Sequence, residues 1–201
     1  MRLLASLFVL FLLGACAGAP PPPPRTSPSG VCPAELAKLG VDFTLQADFS
    51  TPEGCHIEEP VEVRRLASAL SKPTVMSCRL ALALRHFEED TLQPLAQKHL
   101  KQSLLRIHHA GSYACRSESG RASRLSQHAF GLALDITGFE FSDGSKAMIK
   151  SDWRGTGPKT GFLREAARKA CVPFSVVLTP NSDTAHQDHF HFDLGKWRKC
   201  G

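Results

Sequence analysis

Beyond its N-terminus the sequence has no apolar run that could cross a bilayer, which takes roughly 20 residues, and this excludes a polytopic membrane protein. It has no concentration of charge either. The net charge is +5, and the longest basic clusters are Arg64-Arg65 and Lys196-Trp197-Arg198-Lys199. Nucleic-acid binders carry a denser basic stripe, so nucleic acid is not an expected partner. No internal repeat and no second linker interrupt the chain. No cysteine pair has the C-x-x-C spacing, which argues against a thiolate zinc site or a dithiol redox motif. What remains is ordinary for a globular protein, at 42% hydrophobic and 21% charged residues, and it excludes a wholly disordered chain. A length of 201 residues suits one domain with appendages.

The appendage lies at the front. Residues 1–15, MRLLASLFVLFLLGA, give one Arg, an apolar stretch and then small residues, the pattern of a secretory signal. Leu13-Gly14-Ala15-Cys16 resembles a bacterial lipobox, which implies cleavage before Cys16 and lipid on its thiol. Several acyl chains would anchor the protein stably. Ala17, rather than Asp, follows the cysteine, so the expected destination is the periplasmic side of the outer membrane. Residues 16–30 hold six of the 14 prolines, five of them consecutive from Pro20 to Pro24, and read as a stiff polyproline spacer. The folded domain is expected over residues 31–201.

Setting Cys16 aside, six cysteines remain: Cys32, Cys55, Cys78, Cys115, Cys171 and Cys200. An even number in an exported protein points to three disulfides. Cys32 and Cys55, flanking a short segment with Gly and Pro, are the pair most readily imagined. The elements read as a small α+β domain with an antiparallel sheet and flanking helices. Residues 60–72 fit either strand or helix. The run Thr74 to His86 is apolar on nearly all sides and suggests a buried helix. Pro94 opens a second helix through Lys101, and SLLRIHH reads as a strand followed by GSYACR as a turn or second strand. Residues 132–141 alternate, Asp143-Gly144 marks a turn, and KAMIK returns. Phe162, Leu163, Ala166, Ala167, Ala170 and Cys171 share a helical face that ends at Pro173, and FSVVL is an apolar strand.

Chemistry concentrates in two segments. The first is HQDHFHFD at 186–193, with His186, Asp188, His189, His191 and Asp193. On a strand, residues i and i+2 share a face. His189, His191 and Asp193 then project together, while Phe190 and Phe192 face the core. Convergent imidazoles on one face suit Zn²⁺, which in catalytic sites takes three protein ligands and keeps a fourth position open. The second segment is SQHAFGLALD at 126–135. His128 and Asp135 lie seven apart, which is not the spacing of a helical H-E-x-x-H pair. It fits a His on a loop and an Asp on the following strand. Gly131 and Ala133 are small enough for close backbone approach.

SQHAFGLALD resembles the SxHxxGxAxD motif of the D-Ala-D-Ala zinc metallopeptidases, and HQDHFHFD resembles their C-terminal HxH element. More closely, the chain resembles the bacterial extensin-like C-terminal domain family, through GSYACR, the SxHxxGxAxD run, FSDG at 141–144 and HxDHFHFD. The resemblance implies a Hedgehog/D-Ala-D-Ala-peptidase-like zinc fold with zinc on His128, Asp135 and His191. It implies that Ser126 orients the first ligand segment or touches substrate, and that Arg116 orients substrate. His189 would sit beside the metal as a catalytic or orienting residue. Asp188 stands where related enzymes often carry the general-base Glu three residues before the last ligand. His186 would stabilise charge or bind substrate.

The expected function is therefore a lipid-tethered, zinc-dependent peptidase acting on peptidoglycan stem peptides, at an amide beside a D-amino acid. The alternative is a non-catalytic wall-binding lipoprotein that keeps the metal for structure.

Overall fold

Why the ligand segments meet follows from the sheet. In a computed structural model of the chain, residues 30–201 are described. The signal at 1–15, the lipobox Cys16 and the spacer up to residue 29 lie outside the described residues. Among the described residues, no helix is long and apolar enough to cross a membrane.

The chain opens with helix α1 (Val31–Lys38) and strand β1 (Asp42–Leu45). A short hairpin follows, β2 (Phe49–Ser50) and β3 (His56–Ile57), then β4 (Pro60–Arg65) and β5 (Ala69–Ser77). Helix α2 (Cys78–Phe87) runs through a π-helical turn into α3 (Gln93–Leu100), which leads to β6 (Leu104–Gly111). A second hairpin, β7 (Ser117–Glu118) and β8 (Arg121–Leu125), precedes a 3₁₀ turn at Gln127–Phe130 and the long β9 (Ala133–Phe141). Then come β10 (Lys146–Met148), α4 (Ile149–Asp152), α5 (Pro158–Ala170) and β11 (Val176–Leu178). A 3₁₀ turn at Thr184–His186, β12 (Phe190–Asp193) and β13 (Lys199–Cys200) complete the domain.

Nine strands form one sheet in the order β1-β4-β5-β6-β9-β12-β11-β13, with β10 also on β9. The expected antiparallel sheet is a mixed one. The pairs β5–β6 and β11–β13 are parallel, and the others antiparallel. Between β5 and β6 the chain crosses over through α2 and α3, and such a crossover returns the strand in the same direction. Strand periodicity reports pleat and burial but not direction.

The expected buried helix over Thr74–His86 begins as strand and is helical only from Cys78. β-branched Thr74 and Val75 extend β5, and the Ser77 side chain then caps α2 by accepting from the Leu80 N–H at 3.2 Å. Residues 60–72 resolve as strand, and GSYACR is irregular after Gly111. Helix α5 follows its pattern: Phe162, Leu163, Ala166, Ala167 and Ala170 are all buried. They pack under β9, where Phe162 meets Phe139 and Phe141 edge-on. Phe190 and Phe192 stack in the same core, with Phe174 and Phe87 beside Phe192. Each such buried ring contributes about 1.5–3 kcal/mol.

Three disulfides form, as the count predicts, but not with Cys32 on Cys55. The pairs are Cys32–Cys78, Cys55–Cys115 and Cys171–Cys200. The first ties α1 to the start of α2. The second ties the β3 hairpin to the irregular segment after β6. Proximity in sequence misleads here because the sheet brings distant segments together.

Candidate metal centre

The centre is built on the pairing of β12 with β9. In their antiparallel register His191 lies directly opposite Asp135, and Phe192 opposite Leu134. Opposed residues share a face of the sheet. One face therefore carries Phe190, Phe192, Leu134 and Ile136 into the core, and the other carries His191, Asp193 and Asp135. The third member arrives from the 3₁₀ turn before β9. Ser126 caps that turn by accepting from the His128 N–H at 3.3 Å. Gly131 ends it at φ 59°, and a Cβ there would lie 3.0 Å from the Ser77 backbone nitrogen. Both its left-handed conformation and this close approach require glycine.

His128, Asp135 and His191 are the group among the described residues able to hold a metal ion. His128 Nε2 lies 3.1 Å from His191 Nδ1 and 3.1 Å from Asp135 Oδ1, and His191 Nδ1 lies 3.0 Å from the same oxygen. With metal–ligand bonds of about 2.0–2.1 Å, the edge of a tetrahedral zinc site is about 3.3 Å, close to this triangle.

The second nitrogen of each imidazole decides what the first can do. His128 Nδ1–H donates to the Ser112 carbonyl. His191 Nε2–H donates to Asp193 Oδ2 at 3.0 Å. In neutral rings these bonds leave lone pairs on His128 Nε2 and His191 Nδ1, both aimed at the Asp135 carboxylate. Three lone pairs converging within about 3.1 Å repel unless a cation sits among them. Burial opposes ionisation of Asp135, but hydrogen bonds to His128 and His191 more than offset it and hold the carboxyl below the usual carboxylate range. Burial likewise opposes charge on His191, and Asp135 and Asp193 overcome it, raising its pKa to about 9. A centre that attracts a proton this strongly attracts a metal ion in competition with it.

The remaining residues singled out in the sequence gather at the mouth. His189 Nε2 lies 3.8 Å from Asp135 Oδ1. Its Nδ1–H donates to Asp188 Oδ1 at 2.9 Å. Asp188, 56% exposed, precedes β12 and stands behind His189. Of the two candidate bases, His189 faces Asp135 directly and Asp188 is linked to the centre through the His189 ring. His186 Nδ1 bonds Asp183 Oδ1 at 2.6 Å, and its ring lies 5.0 Å from that of His189. Burial lowers the His186 pKa, outweighing the opposing hydrogen bond to Asp183. His186, His191, Ser126 and Arg116 line one cavity of about 650 Å³. Arg116 is exposed, and its carbonyl accepts from the Ser126 N–H at 3.0 Å.

Sequence reasoning assigned no role to Ser112 or Asp183, and placed Asp193 on the ligand face without one. A signal existed for two of them. Asp193 follows His191 by two on a strand, and Asp183 precedes His186 by three at the start of a turn. Nothing local marks a backbone carbonyl 16 residues from the imidazole it holds.

A model of the family described as Extensin-like protein C-terminus matches residues 30–201. No curated protein and no solved structure matches the chain.

Proposed function

This chain belongs to the extensin-like C-terminus family, and from that premise we propose that it is a zinc-dependent peptidase of the bacterial cell envelope. Its substrate would be an amide beside a D-amino acid in peptidoglycan stem peptides or crosslinks. The observation that carries the reading is the convergence of His128 Nε2, His191 Nδ1 and Asp135 Oδ1, each imidazole oriented by a second acceptor, beside an open cavity.

His128, Asp135 and His191 would hold the metal, and two imidazoles with one carboxylate suit Zn²⁺. When bound, zinc supplies Lewis acidity, polarising a carbonyl and making water acidic near pH 7. The chain's own residues do the rest. His189, directed at the centre through Nε2, takes the proton of the attacking water and returns it to the leaving amine. Asp188 fixes the His189 tautomer by accepting from Nδ1. Asp183 fixes His186 in the same way, leaving its Nε2 for the substrate. Arg116, which lines the same cavity, would orient the substrate, and Ser126 holds the His128 backbone in place. Lipid on Cys16 and the proline spacer would tether this domain to the outer membrane, within reach of an immobile mesh.

The test is digestion of purified muropeptides by the full chain, with and without chelator, read by mass spectrometry. The expected result is loss of one amide bond, abolished by chelator and restored by zinc. Intact muropeptides that nevertheless co-sediment with the protein would overturn the peptidase reading in favour of a wall-binding lipoprotein.

A further inference from the structure

Trp197 is out of keeping with its surroundings. The chain has two tryptophans. Trp153 is buried and donates to Asn181 Oδ1 at 3.1 Å, whereas Trp197 is 63% exposed. Its ring is not adrift. The Arg124 guanidinium covers it at 5.1 Å from the ring centre, and Glu118 pins that guanidinium through Nε at 2.8 Å.

The loop carrying Trp197 is fixed to the metal centre. The Gly195 N–H donates to Asp193 Oδ1 at 2.8 Å, while the other oxygen of the same carboxylate holds His191. The Leu194 carbonyl accepts from Arg79 at 3.0 Å. Gly195 lies so close to Gln127 that a Cβ would stand 2.8 Å from its side chain. A large aromatic held in place by these bonds, yet open to water, is a preformed surface for a ligand.

Its position says how long the ligand is. Beside the 650 Å³ cavity lies a second of about 960 Å³, which contains none of the three ligand residues. The two share Arg124, Gln127, Gly195 and Trp197, which form the ridge between them. A short terminal peptide would occupy the first alone. A polymer would cross the ridge.

The chemistry of the ridge says what crosses it. An apolar protein partner needs a contiguous exposed apolar patch, but Leu125, Phe130 and Leu132, which line the second cavity, are only partly exposed, and the other exposed large hydrophobics, Val31, Leu45, Leu105 and Val172, line neither cavity. A nucleic acid needs an uninterrupted basic track, but Glu58, Glu59 and Glu118 stand among the cations. A pyranose has apolar C–H faces and a rim of hydroxyls. It matches one bare aromatic face ringed by Gln127, Ser123, Glu58 and Lys196. We infer that Trp197, backed by Arg124, is a sugar-stacking platform that holds a pyranose ring of a polysaccharide strand beside the metal centre. The inference takes from the proposed function only the polymer that presents the sugar.

The test is binding of the N-acetylglucosamine tetramer to the full chain, read by tryptophan emission and by calorimetry. The expected result is saturable binding with a change in emission, weakened about tenfold or more in Trp197→Ala and less in Trp197→Phe. Arg124→Ala, which leaves the ring but removes its backing, should weaken binding less than Trp197→Ala. No saturable binding, equal affinity in Trp197→Ala, or displacement of the tetramer by a single-stranded oligonucleotide would each overturn it. Binding is read without turnover, so the two readings fail separately. Muropeptide cleavage without tetramer binding defeats the platform alone, and tetramer binding without cleavage defeats the peptidase alone.

Discussion

The three candidate ligands and the two mouth histidines meet at one place in the fold yet are held in different ways. His128, Asp135 and His191 sit on or against two paired strands, and each imidazole has its second nitrogen bound by a buried acceptor. His186 and His189 sit on the irregular segment before β12, each oriented by one exposed carboxylate, from Asp183 and Asp188. The difference separates two tasks. A metal centre needs ligand atoms fixed to within a few tenths of an ångström, and a sheet supplies that. In the proposed reading, proton transfer and substrate contact would take place at the solvent side, where a loop could admit a substrate.

If the two regions are distinct in this way, they can be broken separately. The largest effect is expected at the mouth. His189→Ala should keep its metal and lower muropeptide turnover by about 10²–10⁴-fold, measured in single-turnover assays with metal content determined on the same sample. Asp188→Asn should follow it in direction with a smaller loss, because it removes orientation rather than the imidazole. Loss of metal in His189→Ala would merge the two regions.

Next comes the clamp on the buried side. Cys55–Cys115 ties down the segment whose Ser112 carbonyl holds His128. Replacing both cysteines by Ala should lower stability by about 4 kcal/mol, as expected for a closed loop near 60 residues, and should also weaken metal binding. Cys171–Cys200 closes a shorter loop of 29 residues, and removing both cysteines should leave metal affinity unchanged. Denaturant melts and metal titrations of the two double variants distinguish them. Equal metal affinity in both would show that the segment 112–116 holds His128 without its disulfide.

A smaller effect is expected at Asp193. Asp193→Ala removes the acceptor for His191 Nε2 and should weaken metal binding by about 10–100-fold. Asp193→Asn, which still accepts through its side-chain carbonyl, should recover part of it. A competitive titration against a chromogenic chelator reads both.

The smallest effect serves as a control outside both regions. Glu165 on α5 accepts from Lys98 and His99 on α3, which lower its pKa to about 2. An unfolded Glu titrates near about 4.3, so this stability is present above that pH and is lost as pH falls through about 2. Glu165→Gln should flatten the acid limb of the unfolding curve between those values, cost at most about 1 kcal/mol at neutral pH, and leave metal affinity unchanged.

Part of the site could be read in the chain because each of its two segments is local, and the family resemblance joins the two. Phe190 and Phe192 alternate with His191 and Asp193, so pleat alone places the ligand face opposite the core. The Gly131 at the end of the 3₁₀ turn reads as a close approach, and the close approach is there. What could not be read depends on pairings between distant segments. The disulfide partners of Cys32 and Cys55 lie 46 and 60 residues away in the sequence. The parallel pairing of β5 with β6 rests on a helical crossover, and strand patterns carry no direction. For the base, the resemblance favours Asp188 and strand alternation favours His189. The strand starts only at Phe190, and Asp188 bonds the His189 ring.

The most direct measurement is zinc stoichiometry of the purified full chain after reconstitution and dialysis, for the wild type and for Asp135→Ala. One equivalent in the wild type, with near-complete loss in Asp135→Ala while the fold is retained by circular dichroism, is expected if the three residues form a metal centre. A wild type that retains no zinc, or a folded Asp135→Ala that retains a full equivalent, would contradict it.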